Sequence, residues 1–214
     1  MGVGSGSASA GSPPALQQGS SGRDADGRRN AVVLVAFATK HGATEEIAQA
    51  IGQELRIAGF EADVLPVGQV ASLDRYGAVV LGSAVYFGRW RKEALRFGEQ
   101  HSAELRGRAV WLFDSGPTNT SADAGKNEPV AAADALAEAV GARGRTTFGG
   151  RFRREDAGPF TRRVVDKGNS PGLGFGDFRN FDRIRGWARQ IASELTHGPG
   201  HPKADSYPVV AAPA

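Results

Sequence analysis

Residues 32–37, VVLVAF, are apolar at every position, and so are residues 79–81, VVL. Successive side chains of a strand point to opposite faces, so a strand without polar residues must be covered on both sides. That pattern suits a parallel sheet sandwiched between helix layers, and the rest of the chain supplies the layers. Helix-like periodicity runs over 44–58, where Ile47, Ile51 and Leu55 recur four apart with Ala58 on the same face and Gly59 placed to cap the end. Strands are predicted over 31–37, 62–66, 78–82, 109–114 and 145–152. Further helices are predicted over 70–75, 91–104, 129–140 and 182–195, the last with Ile184, Trp187, Ile191 and Leu195 on one face. Five strands alternating with helices give an α/β fold with a five-stranded parallel sheet.

Composition sets the outer limits. Residues 1–29 are rich in Gly, Ser and Ala and read as a disordered leader; 198–214 read as a flexible tail; 30–197 form the domain. The chain lacks cysteine, which removes disulfides, thiolate metal sites and a Cys nucleophile. Its four histidines are scattered, so no metal site is expected. No apolar run reaches the ~18–20 residues of a membrane helix, and the start lacks the basic and apolar blocks of a secretory signal. A cytoplasmic protein is the expectation. Residues 31–152 carry 13 basic and 14 acidic side chains, whereas 153–214 carry 10 and 7. Without a nucleic-acid motif, the late excess reads as a solvated Arg-rich segment. Within it, residues 153–180 form a Gly/Arg-rich interruption that is either disordered or functional, as a cover or membrane-facing element.

The strand ending at Phe37 passes into Ala38-Thr39-Lys40-His41-Gly42-Ala43-Thr44 and then into a helix. A helix N-terminus offers unpaired N–H groups and positive potential, a natural seat for phosphate. Gly42 permits close backbone approach or positive φ, Thr39 and Thr44 carry hydroxyls, and Lys40 carries charge. From these residues alone, an equal alternative is that Gly42 merely turns the chain and Thr44 merely caps the helix. Neither G-x-G-x-x-G nor G-x-x-x-x-G-K-[ST] follows the first strand, which disfavours dinucleotide binding and P-loop hydrolysis.

FATKHGATEEIAQAIGQEL (37–55) resembles the phosphate loop and first helix of flavodoxins, whose common form is T/S-x-T-G-x-T. Lys40 and His41 stand where hydroxyl residues are usual, and Ala43 where Asn is frequent. LGSAVYFGRWRKEALRF (81–97) and GDFRNFDRIRGWARQIA (176–192) are similar to segments of the menaquinone-dependent protoporphyrinogen oxidase branch of the flavodoxin-like proteins. The resemblance covers about 32–195, with 153–175 poorly matched. It implies a flavodoxin-like three-layer sandwich and FMN as cofactor. The phosphate would lie on Thr39, Lys40, His41, Gly42, Ala43 and Thr44. The ring would lie against Ala84, Val85, Tyr86, Phe87 and Gly88, and its polar rim would face Ser115, Gly116, Pro117 and Thr118. Tyr86 and Phe87 are read as ring contacts, Trp90 as helix packing, and Asp114 as a turn-starting residue or a ring contact. No catalytic side chain is assigned, since the flavin carries the chemistry.

Three functions follow as expectations. One is an FMN oxidoreductase passing electrons from a protoporphyrinogen-like substrate to a quinone, with Arg89, Arg91, Lys92 and Arg96 beside the flavin loop to attract anions. Another is an electron-carrier flavodoxin docking protein partners, disfavoured because such carriers are commonly acidic. The third is a flavin-free interaction domain. The expected partners are a small-molecule or quinone redox partner and, as an option, a membrane surface, without nucleic acid.

Overall fold

The chain divides into two units, residues 1–30 and 31–214. A computed structural model describes Met1 of the first, and residues 32–116, 130–167 and 174–197 of the second. Apart from Met1, the expected leader and tail lie outside the described residues.

The central strand β1 (Val32–Ala38) leads into α1 (Ala43–Ile57), and β2 (Ala62–Pro66) returns beside β1. On the other side of β1 lies β3 (Tyr76–Tyr86), which turns back as a short strand β4 (Arg89–Trp90). Helices α2 (Lys92–Gln100) and α3 (Ser102–Arg106) precede β5 (Ala109–Ser115); α4 (Ala131–Val140) precedes β6 (Gly144–Phe148). A two-stranded ribbon of β7 (Arg151–Phe152) and β8 (Gly176–Asp177) brackets α5 (Pro159–Asp166), and α6 (Phe181–His197) closes the fold. The main sheet runs β2-β1-β3-β5-β6, parallel throughout, with β4 antiparallel at the end of β3.

Alternation along β1 explains its all-apolar sequence. Val33, Val35 and Phe37 pack with Ile47, Ile51 and Leu55 of α1 and with Ile184, Trp187 and Ile191 of α6. Leu34, Ala36 and Ala38 face the opposite layer, with Ala94 and Phe97 of α2, Leu105 of α3 and Leu136 of α4. Burying each large side chain is worth about 1.5–3 kcal/mol, so a polar residue at any of these strand positions would be costly. Ala58 departs from the expected helix face: it is the exposed C-cap. Beyond it, Gly59 takes φ 93° while the Phe60 N–H bonds to the Leu55 carbonyl, closing the helix as expected of that glycine.

Three predicted elements are corrected. No helix forms over 70–75; a 3₁₀ turn at Val67–Gln69 comes first, and a Ser72 hydroxyl accepting from the Asp74 N–H makes a local turn. The single helix predicted over 91–104 is two, broken at His101, whose ring lies 4.8 Å from Phe97. The strand predicted over 145–152 stops at Phe148: the Gly150 carbonyl accepts from the Phe178 N–H instead of extending the main sheet, and the backbone of Phe178 approaches Gly149 so closely that a Cβ there would collide with its carbonyl oxygen. Residues 151–152 belong to the separate ribbon.

Gly82 in β3 faces the Phe113 ring, which fills the space where its side chain would stand. Gly82→Ala should therefore destabilise the protein by about 1–3 kcal/mol through overpacking, measured as a lower urea midpoint at unchanged m-value.

Candidate functional site

The strand order reverses at β1: β2 follows on one side, and β3 starts on the other. In open α/β sheets, the crevice at the carboxyl ends of the strands flanking such a reversal is where ligands bind. Here it is bounded by the loop 39–42 and by the β3–β4 hairpin.

The loop is shaped by its own atoms. Thr39 Oγ1 accepts from the Gly42 N–H at 3.1 Å, and Gly42 takes the left-handed conformation, φ 80°, before its carbonyl receives the Glu46 N–H at 3.1 Å. The N-cap residue, Gly42, has no side chain with which to cap α1. Thr44 is fully buried and its Oγ1 has no hydrogen-bond partner among the described residues. Gly42, not Thr44, is the N-cap residue of α1.

Around this helix end stand side chains that the sequence does not place there. Arg151 of β7 and Arg179, which follows β8, both pair with Glu46, at 2.7 and 2.9 Å, and Arg179 also pairs with Asp177 at 2.6 Å. His41 Nδ1 lies 3.4 Å from Asp156, in the 3₁₀ turn Arg154–Asp156. Part of the 153–180 segment thus folds back against the 39–42 loop and the start of α1. Burial would push the Glu46 carboxyl up, but hydrogen bonds and charge from Arg151 and Arg179 outweigh it and hold the pKa below the ordinary value. The Arg179 hydrogen bond lowers Asp177 likewise, against opposing burial. Both lowered carboxyls favour the folded state at neutral pH, and that contribution is lost as pH falls through their folded values.

The hairpin supplies the second wall. Phe87 at φ 49° and Gly88 at φ 70° are its two central residues, a turn of the primed type that matches strand twist. A left-handed Phe is unusual, and this one projects with 96% of its surface exposed. Ala84 is buried; Val85 and Tyr86 are half-buried. Tyr86 joins the two walls: its ring centroid lies 6.2 Å from that of His41 and 5.5 Å from Lys40 Nζ. Burial, chiefly, raises the Tyr86 pKa. At the third loop, Ser115 is buried and the Gly116 N–H donates to the Phe148 carbonyl at 3.1 Å; a Cβ on Gly116 would stand 3.2 Å from Val85. Pro117 and Thr118 lie outside the described residues.

Beneath the hairpin, Asp114 is 1% exposed. One carboxylate oxygen accepts from the Trp90 indole N–H; the other accepts from Arg145 at 2.7 Å and the Thr147 hydroxyl at 2.8 Å. Arg145 also pairs with Asp134 of α4. Trp90 is buried, in line with the expected packing role, and Asp114 is an anchor between β4, β5, β6 and α4, so the turn-starting role is corrected. Ser83 Oγ adds a further clasp by accepting from the Arg91 N–H at 3.0 Å.

Comparison with known proteins agrees with this geometry. The flavodoxin domain family matches residues 34–171. Over 74 residues the chain is 31% identical to the protoporphyrinogen IX dehydrogenase [quinone] of Escherichia coli strain K12, and equally to that of strain O157:H7. The match covers 34% of this chain and 41% of each relative, so it spans about two-fifths of their length. Among solved structures, a flavodoxin from the domain Archaea superposes with TM-score 0.53 at 15% identity, covering 78% of this chain and 99% of that one. Oxidised Flavodoxin 2 from Bacillus cereus gives 0.52 at 21%, covering 77% and 99%. These structural likenesses are of fold.

Removing the buried Asp114 carboxylate strands the Trp90 indole and part of the Arg145 charge. Asp114→Ala should cost on the order of 3–5 kcal/mol, read by chemical denaturation, with Trp fluorescence changing as the Trp90 hydrogen bond is lost. A loss below about 1 kcal/mol would show that the carboxylate is not the anchor.

Proposed function

Because the chain belongs to the flavodoxin-domain family, we propose that it is an FMN-dependent oxidoreductase, passing electrons from a reduced, protoporphyrinogen-like substrate to a quinone. The observation that carries the cofactor is the N-terminus of α1, started by a left-handed Gly42 without a capping side chain, with a buried Thr44 hydroxyl that has no partner among the described residues. Those groups fit a terminal phosphate: N–H donors, a hydroxyl donor and positive potential converge on one spot. The substrate reading draws support from the 31% identity to the Escherichia coli dehydrogenases over 74 residues.

Residues 39–44 would hold the phosphate. Tyr86 and Phe87 would cover a ring face, and the backbone at Ser115–Gly116 would meet the ring's polar rim. When bound, FMN supplies the one- and two-electron chemistry. The protein's part is to orient the ring, through a hairpin clasped by Ser83 and Asp114, and to keep water from its inner side. Arg89, exposed beside the hairpin tip, offers a charge to an anionic substrate.

Flavin fluorescence quenching with FMN, FAD and riboflavin is the test of the cofactor. FMN should bind most tightly, and riboflavin binding equally well would contradict a phosphate site. Gly42→Asp places a like charge a few ångströms from the phosphate, worth several kcal/mol even at effective ε ~20. It should weaken FMN at least ~100-fold with far-UV circular dichroism unchanged. For the finer reading, the FMN-loaded protein should consume protoporphyrinogen with menadione as acceptor; no FMN-dependent consumption would exclude that substrate.

A further inference from the structure

A helix N-terminus repels cations, yet this one has two arginines drawn up to it. Arg151 is only 13% exposed, and a Cβ on Gly42 would stand 4.0 Å from its Nη2, so the guanidinium borders the space directly over the loop. Glu46 is the carboxylate to which both arginines turn, and it is shared. Arg179 has a second carboxylate in Asp177, bonded through both oxygens, whereas Arg151 pairs with Glu46. Thr44 Oγ1, fully buried and without a partner among the described residues, is a second polar group in the first turn of the same helix.

We propose that Arg151 is a phosphate-binding residue for the cofactor: its guanidinium donates to the terminal phosphate of FMN at the N-terminus of α1, while Glu46 holds it in place without the ligand. The inference rests on the FMN reading above. It assigns this chain a charged phosphate site whose cation is delivered by the β7–β8 ribbon. Arg179, 3% exposed and tied to both Asp177 and Glu46, keeps the ribbon docked so that Arg151 stays over the loop. The ribbon therefore links cofactor binding to folding of the segment after the main sheet. Glu46, by the same geometry, competes with the phosphate for Arg151.

Dissociation constants of FMN and riboflavin for the full chain and its variants test this, because riboflavin lacks the phosphate. Arg151→Gln should weaken FMN by roughly 10- to 100-fold, the loss of a charge-assisted hydrogen bond, and leave riboflavin within about threefold. Arg151→Lys, which keeps the charge but not the fork, should fall between. Glu46→Gln removes the competing negative charge while its amide oxygen can still accept from Arg179 and keep the ribbon docked, so it should tighten FMN severalfold with riboflavin unchanged; FMN weakened as much as riboflavin in this variant would overturn the proposal. This second variant answers the question even if Arg151→Gln folds poorly by circular dichroism. Equal losses of FMN and riboflavin in Arg151→Gln would make Arg151 a structural brace, and unchanged FMN affinity would place the phosphate elsewhere; either overturns the proposal. An Arg151→Gln loss confined to FMN supports it. If the unsubstituted protein binds neither flavin, the cofactor reading itself fails, an outcome distinct from these.

Discussion

The positive pole of α1 fixes the character of this protein, and β1 fixes where that pole lies. Every side chain from Val33 to Ala38 is buried, in alternation between two helix layers. A one-residue slip of β1 would exchange the sets of side chains facing the two layers. With β1 held in register against both β2 and β3, the loop 39–42 has one place to emerge, at the carboxyl edge beside the strand-order reversal. Gly42 then turns the chain left-handed into the helix, and the helix points its unpaired N–H groups across the crevice. Further contacts converge on that pole: Arg151 and Arg179 through Glu46, the 3₁₀ turn through Asp156 and His41, and the hairpin through Tyr86.

A second, independent constraint holds the opposite wall. The hairpin tip stores strain in a left-handed Phe87, and such conformations persist only where the surroundings over-determine them. Asp114 is that surrounding: its two oxygens tie Trp90 on the returning strand to Arg145 and Thr147 on β6. Ion pairs this deep add little net stability over apolar packing, but they fix geometry, and losing one partner is expensive. Rigidity below and exposure above give an aromatic tip at the crevice that cannot sink into the core.

Local pattern made much of this legible in the sequence, and distance hid the rest. The strands at 32–37 and 78–82 announce themselves because a strand buried on both faces has no polar positions. The 39–44 loop is legible because strand, glycine and amphipathic helix follow in immediate succession. Arg151 and Arg179 are not, since each reaches the loop from more than a hundred residues away. The glycine pair at 149–150 reads as more strand until Phe178 packs against it. Ser72 likewise forms a local turn that competes with the helical periodicity of 70–75. Trp90 could be read as packing, but nothing in the local sequence pairs it with Asp114, 24 positions on. Pro117 and Thr118 lie outside the described residues and stand as sequence expectations.

Whether a phosphate occupies the pole of α1 can be read directly from backbone amide resonances. In ¹H–¹⁵N spectra, the amides of Ala43, Thr44 and Glu45 should shift strongly on adding FMN. Inorganic phosphate at millimolar concentration should shift the same amides in the same direction, and riboflavin should leave them nearly unmoved. Shifts under FMN confined to other loops, with residues 43–45 unchanged, would contradict the account.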